Sequence, residues 1–226
     1  AALGHTDRAR QLLNQDATRL DLRIGTGDFG EQPPSSHHIY FWSIGAHRAP
    51  LDTAAQFGHL KTRDAMLAFA TPLQRFRHAC RRADADHAKA IVRAEPGILG
   101  TIGPDDHRML SDAAWDGDAA AVRLMLGLGF DPATPGHDAG NALHCASWQG
   151  AADVVAALLE SAAGRALINA REPHHGSTPL GWCCHGSLHG PRDKDFAQVA
   201  ALLIAHGATV EPFEASEEVE DILSAR

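Results

Sequence analysis

The side chains with the clearest capacity for chemistry are histidines and cysteines in the C-terminal third of the chain. The sequence contains 15 His and 4 Cys, and the densest group comprises His174, His175, Cys183, Cys184, His185 and His189. Zinc accepts imidazole and thiolate ligands. However, His185 and His189 share a helix face only if a helix continues through Gly186, and Gly190 and Pro191 follow at once. We therefore predict that the group is not preorganised and that the chain has no metal site; the ligands to test are His174, His175, Cys184 and His185.

Catalysis would need a nucleophile or a phosphate-binding loop in a recognisable setting. Ser111 with Asp112, and Asp105 and Asp106 with His107, have the residue types of a hydrolytic triad. No Gly-x-Ser-x-Gly turn, phosphate loop or Walker-type lysine accompanies them. The sequence therefore predicts that the chain is not an enzyme and binds no cofactor.

The elements that must position any site are helices in a recurring unit. In residues 141–159, Leu143 lies in a short first helix, Gly150 provides the turn, and a second helix carries the apolar residues Val154, Val155, Leu158 and Leu159. Glycine adopts the left-handed backbone of such a turn at the least cost. One helix pair cannot bury this apolar stripe without help from neighbouring units. The pattern therefore predicts stacked helix pairs.

The same spacing recurs along the chain. An apolar anchor stands at Leu51, Phe76, Leu110, Leu143 and Leu180, at intervals of 25, 34, 33 and 37 residues. Each anchor is followed three positions later by a small residue: Ala54, Ala79, Ala113, Ala146 and Cys183. The predicted turns follow at Gly58, Ala83, Gly117, Gly150 and, in the last unit, Gly186 with Ser187. Gly4 with Leu12 and Leu13 fits the second half of such a unit, so the chain is expected to open inside a repeat.

Two stretches resemble the signature of a known repeat family. Residues 141–146, Asn-Ala-Leu-His-Cys-Ala, and residues 178–180, Thr-Pro-Leu, resemble the Thr-Pro-Leu-His-x-Ala signature of the ankyrin repeat. Other short motifs, such as Gly129-Phe130-Asp131, are similar to one bacterial group of these proteins with irregular repeats. The resemblance covers most of the chain. It implies an all-α, ankyrin-type helix-pair solenoid with short finger loops and irregular insertions, in which His144 ties neighbouring repeats together.

The ankyrin resemblance also implies recognition of another protein through the concave face of the first helices and the tips of the fingers. In such repeats the two residues before each turn project into the concave face. Those positions supply the expected partner-binding residues Phe57, Arg81, Arg82, Trp115, Asp116, Trp148, Gln149 and His185. Trp and Arg are enriched among the residues that dominate interface energetics. The finger tips hold polar residues suited to rim contacts: Asp105, His107, His137, Asp138, His174 and His175.

Two features of this set have structural alternatives. Trp115 and Trp148 could stack on each other between repeats and merely stiffen the array. The basic residues near one first helix are either a solvated helix face or a contact for an acidic partner segment; they are Arg75, Arg77, Arg81 and Arg82. Both alternatives stay open at this stage.

The composition favours a soluble binding protein. The net charge of −8 at pH 7 argues against a general nucleic-acid or membrane-surface binder. No apolar run approaches the roughly 20 residues of a membrane span, and the first residues do not form a signal-peptide pattern. The cysteines fall at or beside small-residue positions, where a reduced thiol acts as a compact apolar group. We expect a cytoplasmic monomer whose partner is another protein, and neither nucleic acid nor membrane.

The expected organisation is a single domain with four parts. These are a partial first repeat in residues 1–19, an insert with a short aromatic helix in 20–48, ankyrin-like repeats in 49–210, and an acidic C-terminal capping helix in 211–226. Ser216 is the expected N-cap of that last helix. The preferred function is protein binding without catalysis. The alternative is a regulatory or targeting ankyrin module of a larger enzyme or effector, whose catalytic part would lie outside this chain.

Overall fold

The predicted all-α class is confirmed. A computed structural model describes residues 1–24, 43–45 and 47–225, and this part contains thirteen α-helices and no strand. Among the helices described, none has the length and apolar character needed to cross a membrane. The chain divides into two compact units, Ala1–Ile98 and Leu99–Arg226. The aromatic helix predicted in the insert, with Tyr40, Phe41 and Trp42, lies outside the described residues.

The first unit consists of two helix pairs and one additional helix in its described part. The helices are α1 (Thr6–Gln15), α2 (Pro50–Gln56), α3 (Leu60–Leu67), α4 (Pro72–Arg81) and α5 (Ala85–Ala94). Helices α2 and α3 pack as one pair, α4 and α5 as the other, and α1 lies beside α3. The apolar side chains buried between α1, α2 and α3 include Leu13, Leu20, Leu51 and Met66. The sequence pattern predicts that α1 is the second helix of a pair. Its position beside α3, which is also a second helix, is the one expected from that pattern.

The second unit arranges its helices in two layers. Its helices are α6 (Pro104–Trp115), α7 (Ala119–Gly127), α8 (Ala142–Trp148), α9 (Ala152–Glu160), α10 (Ala162–Arg165), α11 (Pro179–His189), α12 (Phe196–Ala205) and α13 (Glu217–Ser224). The first helices α6, α8 and α11 lie side by side, and the second helices α7, α9 and α12 form the neighbouring layer. The anchors Leu110, Leu143 and Leu180 are fully buried between them. Each anchor therefore stabilises more than one helix pair.

Local sequence explains where the helices begin. Proline stands at the first position of four first helices, at Pro50, Pro72, Pro104 and Pro179. Proline is well suited there because its fixed φ is helical and the first N–H has no helical partner. Several second helices begin after an aspartate whose side chain accepts a backbone N–H, as Asp84, Asp118 and Asp195 do. These caps satisfy donors that the helix itself leaves free.

The predicted turns within the helix pairs are confirmed at four positions. Gly58, Gly117 and Gly150 have φ values of +72°, +76° and +59°, and Ala83 adopts φ +53° at the equivalent place. An L-residue in this region is disfavoured by about 1–2 kcal/mol, because its Cβ approaches the following carbonyl oxygen. The α4–α5 turn therefore has the same left-handed conformation as the others, although alanine stands where the others have glycine.

The turn predicted at Gly186 is wrong. Helix α11 continues through Gly186 to His189, and Gly190 is its C-cap. Gly186 serves another purpose, because a Cβ on it would lie 2.6 Å from the carbonyl oxygen of Trp148. The glycine allows α11 to approach the end of α8 closely. The longer helix brings His185 and His189 onto one face after all.

The predicted side-chain cap of the last helix is also wrong. Helix α13 begins at Glu217, directly after Ser216, but the Ser216 side chain makes no capping hydrogen bond. Its backbone N–H instead donates to Ser187 Oγ at 2.9 Å. The segment before α13 is consequently attached to the end of α11.

Hydrogen bonds from first helices hold the finger loops in place. His144 Nε2 donates to the carbonyl oxygen of Ser177 at 3.1 Å, as the predicted tie between repeats requires. Ser111 Oγ donates to the carbonyl oxygen of Thr134 at 2.7 Å. Burial lowers the pKa of His144 and favours its neutral form, while the hydrogen bond to Ser177 acts in the opposite direction but is outweighed. Each finger is therefore positioned by the helix that precedes it in the layer.

Candidate partner-binding groove

The second unit contains a groove of about 610 Å³. We call it the tryptophan groove, because Trp115, Trp148 and Trp182 line it. The ends of α6, α8 and α11 form one wall, the finger loops contribute Asp138 and His175, and the segment before α13 adds the other wall. Ligand sites in proteins commonly measure about 300–1,000 Å³ and are mostly apolar with a few polar groups.

Trp115 is held by the finger loop that follows its repeat. It is the last residue of α6, it is half-buried, and its indole stacks on His137 with ring centroids 4.1 Å apart and planes at 17°. The two residues after His137, Asp138 and Ala139, have φ values of +44° and +57°. Consecutive left-handed residues other than glycine persist only where the surrounding contacts impose them. This conformation places Asp138 on the lining of the groove.

Trp148 is the centre of an aromatic cluster. It ends α8, and its ring meets Trp182 edge-on at 6.3 Å and His185 at 5.3 Å. Trp182 itself is buried, and it packs so closely on Gly140 that a Cβ there would lie 2.7 Å from the indole. Aromatic pairs in such edge-on arrangements add about 0.5–1.5 kcal/mol beyond their buried area. The contact with the buried Trp182 ring therefore helps to fix the half-buried Trp148.

The continuation of α11 forms one side of the groove. His185, Leu188 and His189 lie on this part of the helix and line the groove. The His185 and His189 rings are 4.6 Å apart, and Leu188 is 44% exposed. An exposed leucine beside two exposed imidazole rings adds apolar surface to the groove.

The segment before α13 closes the opposite side. Pro212, Phe213 and Glu214 line the groove, and the Phe213 ring rests on the backbone of Gly181. A Cβ at Gly181 would lie 3.0 Å from that ring and 2.3 Å from Ser177 Oγ. Glycine at this signature position therefore makes room for both the ring and the finger loop.

A buried carboxylate fixes the finger loop of residues 172–177. Glu172 is 3% exposed and accepts hydrogen bonds from the backbone N–H groups of His174, His175 and Ser177 at 2.6 to 3.1 Å. Burial alone would raise the pKa of Glu172, but these hydrogen bonds outweigh it and hold the pKa below its ordinary value. The side chain of His175 therefore enters the groove from a rigid loop.

The charged groups of the groove are carboxylates. Asp138 and Glu214 line it, and neither forms a salt bridge with another described residue. Among the described lining residues there is no lysine or arginine. Burial and the nearby rings of His189 and His175 lower the pKa of His185. The lower pKa favours the neutral form of the His185 imidazole. With two carboxylates and no lysine or arginine, the described lining of the groove is acidic in composition.

The structure brings together three of the eight residues predicted to bind a partner. Trp115, Trp148 and His185 line the tryptophan groove, while Asp116 and Gln149 follow the two tryptophans at the helix ends. The alternative in which Trp115 stacks on Trp148 is not what the structure shows: Trp115 stacks on His137, and Trp148 meets Trp182 edge-on. The remaining three residues, Phe57, Arg81 and Arg82, belong to the first unit.

Phe57 and Arg82 have different surroundings in the first unit. Phe57 is 41% exposed at the end of α2. Arg82 lines a separate surface depression of the first unit together with Arg63, Arg75 and His87. The neighbouring Arg77 is instead paired with Asp21 at 3.0 Å. The predicted basic run therefore divides between a structural ion pair and a surface depression.

The histidine and cysteine cluster is not arranged as a metal site. Within the described part of the chain, no group of three or more His, Cys, Asp or Glu side chains could hold a metal ion. All four cysteines are buried free thiols. Burial raises the pKa of Cys80 and Cys145 to about 12 and that of Cys184 to about 11. These thiols are packing groups with little thiolate character.

Several residues of the groove were not predicted as site residues. Phe213 and Glu214 belong to a stretch assigned to a capping helix, and Leu188 and His189 follow a glycine that was interpreted as a turn. Trp182 stands inside the signature-like segment of residues 178–182. An isolated aromatic residue in an otherwise acidic stretch was the available signal for Phe213.

Comparisons with known proteins give no assignment. The chain matches no protein-family model, and a search of curated proteins finds no match.

Proposed function

We propose that this chain is an ankyrin-type repeat protein that binds another protein through the tryptophan groove, without catalysis. The observation that carries the proposal is the preformed groove itself, in which half-buried Trp115 and Trp148 stand at the ends of adjacent first helices. Tryptophan is the residue type most enriched at the energetic centres of protein interfaces.

The helix arrangement supports the ankyrin-type part of the proposal. In the second unit the first and second helices form separate layers, and the turns within the pairs at Gly117 and Gly150 are left-handed. The signature-position His144 bonds the next finger loop. These are features that the sequence resemblance implies, and they position the groove between helix ends and fingers.

The rigidity of the groove supports the binding part of the proposal. Its walls are held by one stacked and one edge-on pair of rings, by glycines that permit close approach and by a finger loop anchored on Glu172. A preorganised surface loses little conformational entropy when a partner binds. Half-buried aromatic rings that are already fixed in place are suited to that role.

A paired capture experiment tests the proposal. The full chain and its Trp115→Ala, Trp148→Ala variant are immobilised and exposed to lysate of the source organism, and retained proteins are quantified by mass spectrometry. We expect a protein retained by the parent to be reduced at least tenfold on the variant. Circular dichroism establishes that the variant is folded.

The matched control removes exposed apolar surface elsewhere. A Phe57→Ala, Leu60→Ala variant truncates residues that are 41% and 49% exposed in the first unit. It is expected to retain the same protein as the parent chain. Retention that depends on Phe57 and Leu60 and is indifferent to the two tryptophans would contradict the proposal.

A further inference from the structure

The tryptophan groove combines two features that together favour a cation. Its surface is aromatic, with Trp115 and Trp148 at the ends of two helices and Phe213 on the segment before α13, and its described lining also contains the carboxylates of Asp138 and Glu214. The faces of aromatic rings attract cations, and the attraction increases where water is excluded. Carboxylates beside such rings supply the complementary charge.

The two carboxylates are available to a ligand. Both side chains are exposed, and neither is engaged in an ion pair with a described residue. The nearby Glu211, in contrast, is paired with Arg171, so it is already compensated. Asp138 and Glu214 stand on different segments, the finger loop before α8 and the segment before α13. The two carboxylates therefore contribute negative charge to the groove from two different segments.

The described lining of the groove includes no lysine or arginine, so no permanently charged cationic side chain there repels such a ligand. The titratable groups other than the carboxylates are His175, His185 and His189, and burial with the neighbouring rings lowers the pKa of His185. The chain as a whole has a net charge of −8, which also favours approach of a basic segment.

From this arrangement we infer that the tryptophan groove recognises an arginine side chain presented by a basic segment of the partner protein. The inference rests on the proposed function and specifies the partner's chemistry. The planar guanidinium stacks on aromatic rings and at the same time donates to carboxylates, which the compact ammonium of lysine does less well. The rings of Trp115 and Trp148 provide the stacking surface, and Asp138 and Glu214 accept the hydrogen bonds.

Peptide selection tests the inference without knowledge of the partner. A phage-displayed library of random 12-residue peptides is selected on the immobilised full chain, with counter-selection on the Trp115→Ala, Trp148→Ala variant. The expected result is enrichment of peptides that contain arginine. Enriched peptides without a basic residue would overturn the inference but leave the proposed groove intact. Failure to obtain any peptide that depends on the two tryptophans would overturn both.

A neutral analogue of arginine isolates the role of the charge. The best selected peptide is synthesised with arginine and with citrulline, which has nearly the same shape and no charge, and both affinities are measured by calorimetry. We expect at least tenfold weaker binding of the citrulline peptide. Affinities within twofold of each other would overturn the inference.

A variant that lacks both carboxylates tests whether Asp138 and Glu214 recognise the charge of the arginine. Both acids are exposed, so an Asp138→Asn, Glu214→Gln variant is expected to fold normally, and Asn tolerates the left-handed backbone at position 138. This variant is expected to bind the arginine peptide at least tenfold more weakly and to discriminate little between arginine and citrulline. Undiminished discrimination would show that other groups recognise the charge and would overturn the assignment.

Discussion

Glu172 illustrates how one side chain prepares the groove. Its carboxylate is buried, yet it is stabilised as an anion by the N–H groups of the finger loop that carries His175. Hydrogen bonds to charged groups contribute about 1.5–3 kcal/mol each, more than neutral ones do. The loop therefore depends on the ionised state of one residue.

Replacement of Glu172 by Gln is expected to reduce the free energy of unfolding by about 1–3 kcal/mol at pH 7, because the neutral amide oxygen is a weaker acceptor. The pKa of Glu172 lies below its ordinary value of 4.5. Its stabilising effect is therefore complete above pH 4.5 and is lost as the pH falls through the lower pKa of the folded state. Urea denaturation of parent and variant at pH 7 and at low pH measures the difference.

The control for this prediction is Glu218→Gln, which changes an exposed carboxylate in the first turn of α13. It is expected to have a small effect on stability. A parent–variant difference for Glu172 that stays constant down to pH 3 would show that the ionised carboxylate is not what holds the loop.

Glycines have two different roles in the helix pairs. Gly117 and Gly150 are turn residues with positive φ, whereas Gly186 lies inside α11 and provides close contact with α8. Both roles require the absence of a Cβ, so residue type and spacing do not separate them. Gly186 is a contact residue because Trp148, which is 38 residues earlier in the sequence, packs against it.

A Gly186→Ala substitution is expected to destabilise the protein by about 1–3 kcal/mol, because the added methyl group would overlap the carbonyl oxygen of Trp148. Thermal unfolding followed by circular dichroism measures the effect. The control is Gly127→Ala at the end of α7, where a Cβ meets no atom within 4 Å. That control is expected to be neutral or stabilising by up to about 1 kcal/mol. Equal responses of the two variants would contradict the close contact between α8 and α11.

The α4–α5 turn offers the opposite test. Ala83→Gly is expected to stabilise the protein by up to about 1 kcal/mol, because relief of the left-handed strain exceeds the entropic cost of glycine in the unfolded chain. Ala90→Gly, on the exposed face of helix α5, is expected to destabilise it by about 0.5–1 kcal/mol. Chemical denaturation compares the two. A loss of stability at position 83 equal to that at position 90 would mean that Ala83 is not strained.

At the level of the complete chain, the all-α class and the burial of the apolar anchors were the parts that the sequence predicted best. The anchors Leu110, Leu143 and Leu180 are all fully buried in first helices, because a periodic apolar pattern depends mainly on local geometry. The groove was predicted only in part. Trp115 and Trp148 follow from the repeat register, but Phe213 enters through a segment outside it, and its contact with Gly181 depends on tertiary packing.

Truncation of an anchor tests the cooperation between helix pairs. Leu143 has no exposed surface and lies in α8, which packs against both α6 and α11. Leu143→Ala is expected to lower the free energy of unfolding by about 2–5 kcal/mol, through lost burial and the cavity that remains. Urea denaturation measures the loss. A value below about 0.5 kcal/mol, typical of surface substitutions, would contradict the repeat register.

The measurement that tests the central claim most directly is hydroxyl-radical footprinting of the chain with and without its captured partner. Oxidation of Trp115, Trp148 and Leu188 is quantified by mass spectrometry, with Phe57 in the first unit as the internal reference. We predict strong protection of the three groove residues in the complex and unchanged oxidation of Phe57. Protection confined to Phe57 and its surroundings, with the two tryptophans as reactive as in the free chain, would contradict the assignment of the groove.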